Sequence, residues 1–375
     1  MKIAVIYHFY PHYRYGVMEE LVGRKKIEKV DFFCSRIDVD GIPSIKNDLF
    51  RFKYLKSFFI GKFFFQPGIL IEALKLDYDV YVFLANPNFL TTWFATILLK
   101  IFGKRVIFWG HGFFSSKKSV KNLIKYMFYN LADASYFYGY NSAKYACEMG
   151  MKQSKIYIGY NSLDYKKQIE IRRELYAGGE RSRDGVLKIL AVSRLKKECD
   201  YDLLFHAIKK SVNSGKIIEL TVIGDGGELN HLNELAKSLN INVIFAGAIY
   251  DERVVASYIY NSDLVAQPGK LGLTGMHSFM YGTPVLTHSC IEMQMPEFEG
   301  VVHGKTGMLH ELGSVDSISE CLINYENYFS DRSVARRACN KVVDILYNPK
   351  KQVDVLECAA FGEFLEINDE VKSIF

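Results

Sequence analysis

The chain has 375 residues, 49% of them hydrophobic, so it can bury a sizeable core, and its length favours two domains over one. A formal net charge of +5 is too weak to argue for nucleic acid, which is not expected as a partner. Cysteines at 34, 147, 199, 290, 321, 339 and 358 form no CxxC pair and no metal-ligand rhythm, so they read as reduced thiols of a cytoplasmic protein, not as a disulfide framework.

The opening "MKIAVIYHFYP" carries one lysine and a short apolar run, and is expected to be a buried first strand over 2–8, not a signal peptide. Further β-branched runs follow at 29–34, 79–85, 105–110, 134–139 and 155–160, with helical patterns between most of them, including 115–131. No run reaches the ~18 apolar residues that span a membrane. The nearest, "FLTTWFATILLKIFG" at 89–103, is broken by Lys100 and fits a core helix. Residues 166–187 are charged and rich in glycine near their end, and read as a linker. A second series of strands starts at once, over 187–195, 218–226, 242–248, 263–269 and 283–289. This alternation predicts an α/β protein with two doubly wound, Rossmann-like domains facing a central cleft: 1–165, then 188–350, with a helical tail at 351–375.

Several strand ends carry suggestive chemistry. Tyr13, Arg14 and Gly16 follow the first strand, where they hold a ligand or close a turn. His111, between two glycines in "FWGHGFF", is expected to reach into the cleft, with a helix-capping role as the alternative. In the second series "VSRLKK" sets Arg194, Lys196 and Lys197 just past a strand, suited to a diphosphate or to a solvated basic loop. "VIGDGGEL" places Gly224 and Gly226 at the next strand end, as a close backbone approach to a ligand or a plain tight turn. "GLTGMH" offers the amides of Gly272, Leu273 and Thr274 at a helix start, a seat for an anion.

In order and spacing these pieces resemble the GT-B glycosyltransferases of the glycosyltransferase family 4 type. The family's "GRL…KG", "GDG", "F.G" and "EGFGL…LEA…G.PV" elements are matched by "SRLKKECDYD", "GDGGEL", "FAG" (ending in Gly247) and "KLGLTGMHSFMYGTPV". "WGHG", "LADASYFYGYNSAKYACEMGM" and "GYNSLD" resemble its acceptor-domain elements more loosely. The resemblance implies the GT-B fold, a nucleotide-sugar donor held by the second domain and a glycan acceptor, which includes lipid-linked ones, held by the first. It also implies a tail that crosses back to the first domain, and transfer with retention. His111, Arg194 and Lys197 become the catalytic candidates. Lys196, Gly224, Gly226, Gly247, Gly272, Leu273, Thr274 and His277 join Arg194 and Lys197 on the donor side, and Tyr13, Arg14, Gly16 and His111 stand on the acceptor side.

The departures are specific. The family's paired glutamates fall on Gly269 and His277, and its loop lysine on Cys199. His277 can still bond a ribose hydroxyl. Glu297 and Glu299, in "MPEFEG", are expected as replacements for the lost contacts, with Glu292 nearby. The donor site therefore reads as rebuilt. No metal or other cofactor is expected; "DVD" at 38–40 precedes a Gly-Ile-Pro turn and reads as loop. Three rivals stay open: a non-catalytic nucleotide- or glycan-binding partner of a transferase, an inverting transferase, and a 2-epimerase. The 25 tyrosines and 27 phenylalanines include "RFKYLKSFFIGKFFF" at 51–65. Together with the lysine-rich 115–130, this stretch is expected to hold a cytoplasmic protein on the inner face of the cell membrane, an aromatic core being the alternative.

Overall fold

A computed structural model of the chain describes residues 1–36, 44–45, 49–179 and 184–375. The "DVD" segment lies outside the described residues. The chain divides into two units, Met1–Tyr165 with Leu346–Ser373, and Lys166–Ile345 with Ile374–Phe375.

The first unit is built on strands β1 (Lys2–Ile6), β2 (Lys29–Cys34) and β3 (Phe52–Tyr54), a hairpin of β4 (Phe58–Ile60) and β5 (Phe63–Phe65), and strands β6 (Val80–Leu84), β7 (Arg105–Gly110), β8 (Ala134–Phe137) and β9 (Ile156–Ile158). Outside the hairpin they form one parallel sheet in the order β3-β2-β1-β6-β7-β8-β9. Helices cover a parallel sheet on both faces, which is why runs such as "VYVFL" and "RVIFWG" are apolar without alternation. Strand order reverses direction between β1 and β6. At such a switch point the loops beyond the strand ends diverge and leave a crevice.

The second unit repeats the plan with β10 (Leu187–Val192), β11 (Ile218–Ile223), β12 (Val243–Gly247), β13 (Leu264–Ala266), β14 (Val285–His288) and β15 (Gly307–His310). The order is β12-β11-β10-β13-β14-β15, all parallel, and its switch point lies between β10 and β13.

Three expectations need correction. Residues 165–177 are a helix and not a linker. Gln168, Arg172 and Tyr176 fall on one helical face and bond Glu252, Asp344 and Asn340, so polar contacts, and not an apolar stripe, dock this helix within the second unit. The helix Leu90–Ile101 is not wholly core: Thr92, Ala95, Thr96 and Leu99 are buried, while Phe94, Ile97 and Ile101 face outward. The helix expected over 115–131 starts only at Val120, where Ser119 caps it by accepting from the Asn122 amide at 3.1 Å.

The last long helix, Pro349–Phe361, belongs to the first unit. Asn348 caps it and Pro349 opens it, both favoured at a helix start. Arg24 pairs with its Asp354 and Glu357 at 2.6 and 3.3 Å, and Val353, Leu356 and Ala359 join the core under β1 and β8. The final residues Ile374 and Phe375 group with the second unit, where Lys341 donates to the Ile374 carbonyl. Among the described residues no helix is long and apolar enough to cross a membrane.

Candidate functional site

Each unit carries a candidate site at its switch point. In the first, the residues following β1, β6, β7 and β8 line a cavity of about 420 Å³, within the usual range for small-molecule sites. Tyr13, Arg14 and His111 all lie on it, joined by His8, Asn86 and Tyr138. The 3₁₀ turn His12–Arg14 after β1 folds Arg14 inward, so that only 8% of it is exposed. Its guanidinium lies over the rings of Trp109, Tyr138 and Tyr7 at 5.2, 5.3 and 5.9 Å, and one of its nitrogens donates to the Tyr138 hydroxyl. The His111 ring meets Tyr138 edge-on at 4.9 Å. Its loop is fixed by Ser142, which donates to the His111 and Phe113 carbonyls, and by Tyr129, which accepts from the Gly112 amide. Gly112 needs to be glycine, with φ at +66° and Phe137 at 2.7 Å from any Cβ. Burial holds the His8 imidazole down at about 4, so it stays neutral at physiological pH.

Gly16 does not reach this cavity. It lies in the helix Tyr15–Val22 against Pro349 and the Leu163 carbonyl, so its smallness serves the packing of the returning helix.

In the second unit, the exposed Arg194, Lys196 and Lys197 follow β10, with exposed Lys270 on the loop after β13. The helix Leu273–Met280 starts at Gly272, and the Thr274 hydroxyl donates to the Val192 carbonyl at 3.1 Å. That bond ties the free amides of the helix start to the strand end that carries the cations, a combination suited to a diphosphate. Cys199, at the family's lysine position, turns its thiol back onto the Arg194 carbonyl at 3.3 Å, and its own carbonyl accepts from the Gly269 amide at 3.1 Å.

Gly224 and Gly226 serve packing between loops. A Cβ on Gly224 would lie 1.8 Å from the Ser193 carbonyl oxygen, and one on Gly226 would lie 2.2 Å from that of Leu195. Both glycines let the "GDG" loop close on "SRL", where Leu195 donates to the Asp225 carbonyl at 2.9 Å. Gly247 ends β12 and accepts from the Gly224 amide, with φ at +73°.

His277 is half-buried, and its Nδ1 lies 3.2 Å from Glu252. Glu252 also accepts from Tyr281 and Gln168 at 2.6 and 2.9 Å. Burial works to raise this carboxyl, but the bonds and charge of His277, with Tyr281 and Gln168, override it and hold Glu252 down at about 2. The Gln168 side-chain nitrogen lies 3.4 Å from the same Nδ1, so Glu252 and Gln168 together position the His277 ring. Glu252, Lys270, His8 and Tyr138 were missed by the sequence reading. Strand ends at 2–8 and 134–139 pointed to the last two, whereas nothing local links Glu252 to His277. Glu297 is 2% exposed, within the turn Pro296–Gly300 beside the helix Leu273–Met280, whereas Glu299 is half-buried and Glu292 exposed. The same loop sends Gln294 to accept from the Leu271 amide at 2.7 Å, which pins the glycine-rich turn.

Residues 173–336 match the family described as glycosyl transferases group 1. An uncharacterized 41.2 kDa protein in the cps region of Klebsiella pneumoniae is 24% identical over 228 residues, 60% of each chain. The alpha-monoglucosyldiacylglycerol synthase of Streptococcus pneumoniae is 32% identical over 111 residues, 28% of this chain and 25% of the synthase. The chain thus aligns with less than two thirds of either relative. Among solved structures, a lipopolysaccharide outer core galactosyltransferase, WaaB, superposes with a TM-score of 0.72 at 18% identity, covering 97% of this chain and 100% of WaaB. Anabaena HepE in complex with UDP-glucose gives 0.65 at 16% identity, covering 96% and 100%. At these identities the likeness is one of fold. The chain has the GT-B fold of two Rossmann-like domains, and residues 173–336 of its second domain are similar to the glycosyl transferases group 1.

Proposed function

We propose that the protein is a glycosyltransferase that moves a sugar from a nucleotide-sugar donor to a glycan acceptor, in the synthesis of a surface polysaccharide. The observation that carries this reading is the Thr274–Val192 bond, which sets the helix start at Leu273 beside Arg194, Lys196 and Lys197. Leaving-group charge on a diphosphate is what such an array stabilises. HepE binds UDP-glucose and the Klebsiella relative comes from a cps region, which supports a UDP-sugar as donor and a capsule-type product. Transfer proceeds with retention and without a metal, His111 and the cavity of the first domain serving the acceptor. Calorimetric titration with UDP-, GDP-, dTDP- and CMP-sugars tests the donor, and release of UDP from UDP-glucose tests the chemistry. No binding of any of them would overturn the reading. EDTA should leave turnover unchanged. The cluster of half-buried Asp202 and Glu228 with exposed His231, whose ligand atoms lie within 4.8 Å of one another, is where a metal would be sought if it did not.

One observation favours a non-catalytic binding partner instead: the backbone around Gly269 leaves no space for a carboxylate at the family's first glutamate position. Nucleotide binding with hydrolysis and transfer at background levels would decide for it.

The enzyme is further proposed to work on the inner face of the cell membrane. The β4–β5 hairpin exposes Phe58, Phe59, Ile60 and Phe63, while only Phe64 is buried. Beside it, Phe94, Ile97 and Ile101 form an outward apolar stripe at helical spacing, and Val120, Leu123, Ile124 and Met127 form another on the neighbouring helix. Lys56, Lys62, Lys118 and Lys121 flank these surfaces, which supports an anionic lipid surface as the partner.

A further inference from the structure

Among the described residues Arg14 is a buried cation without a counter-ion. No carboxylate pairs with it among the described residues, its Nη1 has no hydrogen-bond partner, and its single side-chain bond goes to the neutral Tyr138 hydroxyl. Aromatic faces offset part of the cost of burying a charge but do not replace an anion. Arg14 also lines the cavity of the first unit, and among the described residues no acidic side chain lies on that cavity. His8 adds a second buried nitrogen there, Nδ1, that has no partner. The remaining wall includes Phe59, Phe89 and Tyr138, whose flat rings suit the C–H face of a sugar ring.

We propose that this cavity receives an acidic sugar of the acceptor, whose oxyanion, a carboxylate or a phosphate, is read by Arg14. The inference rests on the transferase reading above and deepens it by naming the acceptor's chemical class. An oxyanion supplies the missing counter-charge, and the planar guanidinium matches either group in a bidentate fashion. A neutral sugar of the same shape would leave the buried cation uncompensated, so discrimination comes from the unpaired charge itself.

The test is ligand-observed NMR on the full chain with methyl glucuronide, glucose 6-phosphate and methyl glucoside, followed by calorimetric titration of UDP into the same samples. Binding of either acidic probe at least tenfold tighter than the glucoside supports the proposal, and which one binds identifies the source of the oxyanion. This comparison needs no variant. Arg14→Met, checked for its fold by circular dichroism, should abolish the preference, and Arg14→Lys should keep part of it. Equal binding of charged and neutral probes overturns the proposal. So does a loss of UDP affinity in Arg14→Met without acidic-probe binding in the wild type, which would assign Arg14 to the donor diphosphate. Wild-type protein that binds UDP but no acidic probe sinks this inference and leaves the transferase reading standing. Binding of the acidic probe without any nucleotide sinks the transferase reading alone.

Discussion

The Gly269 amide donates to the Cys199 carbonyl at 3.1 Å, and a Cβ on Gly269 would lie 2.2 Å from the Glu198 carbonyl oxygen. These are two of the positions at which the chain departs from the pattern of the family it resembles, and they touch each other at the switch point of the second sheet. The loop after β10 has closed on the loop after β13. Thr287 and Gln294 hold the other side of this turn by bonds to the Gly269 carbonyl and the Leu271 amide. The two losses are one structural change.

Restoring the family residue should therefore fail. Gly269→Ala forces a side chain onto backbone and should cost about 1–3 kcal/mol, as overpacking does. Gly269→Glu should be worse and should not improve nucleotide affinity. Urea unfolding and UDP titration of both variants check this. A stable Gly269→Glu with tighter UDP binding would mean that the loop opens readily and that the site is the family's own.

The cationic loop should behave in the opposite way. Arg194, Lys196 and Lys197 are exposed, so alanine there leaves stability almost unchanged. If Arg194 stabilises the leaving diphosphate, its loss costs about 100- to 1000-fold in turnover. The double change of Lys196 and Lys197 should exceed either single one. Near-normal turnover in Arg194→Ala would remove it from the mechanism.

His277→Ala should weaken nucleotide binding, and Glu252→Gln should do so through His277. Glu252 accepts from Tyr281 and Gln168 and lies within bonding distance of His277 (3.2 Å), and loss of its charge costs about 1–3 kcal/mol in stability as well. UDP affinity unchanged in both variants would place the ribose contact elsewhere, with Glu297 the next residue to test.

Much of this was legible because parallel strands buried on both faces announce themselves as unbroken apolar runs, and their carboxyl ends locate the loops. Tyr13, Arg14 and His111 were found that way and lie on one cavity. What escaped notice lacked local signature. The helix Tyr165–Ala177 docks through Gln168 and Arg172, and β15 is a short "GMLH". Gly224 and Gly226 look alike whether a ligand or a neighbouring loop occupies the space beside them, and here carbonyl groups of "SRL" do.

Acid should destabilise each domain through histidines held below their ordinary value. Burial holds His8 at about 4, and burial together with His310 does the same for His288. Below their ordinary value of about 6.5 the unfolded chain takes up protons that the folded chain refuses. Their contribution is therefore complete above pH 6.5 and is lost as pH falls toward 4. Glu252, held at about 2, adds a loss as pH falls from about 4.5 toward 2. Melting temperatures across pH 4.5–7.5 should fall with acid, and His288→Gln should flatten the dependence of the second domain. A flat profile in the wild type would show that neither histidine stays neutral.

Membrane contact is tested on the residues that the fold leaves free for it. Lys53 is not one of them, since it lies 3.3 Å from the buried Asp31 and donates to Tyr78. Lys125 is not either: burial and nearby Lys121 lower it to about 8, and it donates to the Gly112 carbonyl beside the His111 loop. Lys56, Lys62, Lys118 and Lys121 remain, around the apolar stripes of the hairpin and the two helices. Cations near an anionic leaflet contribute about 1 kcal/mol each, so exchanging these four for glutamate should cost several powers of ten in partition to anionic vesicles. Phe58→Ser with Ile60→Ser should weaken binding at high salt as well, because apolar insertion is not screened. Neither side chain is buried (Ile60 is 60% exposed), so the fold should survive the change. Binding that resists both sets of substitutions, or no binding at low salt, would leave these stripes without a lipid partner.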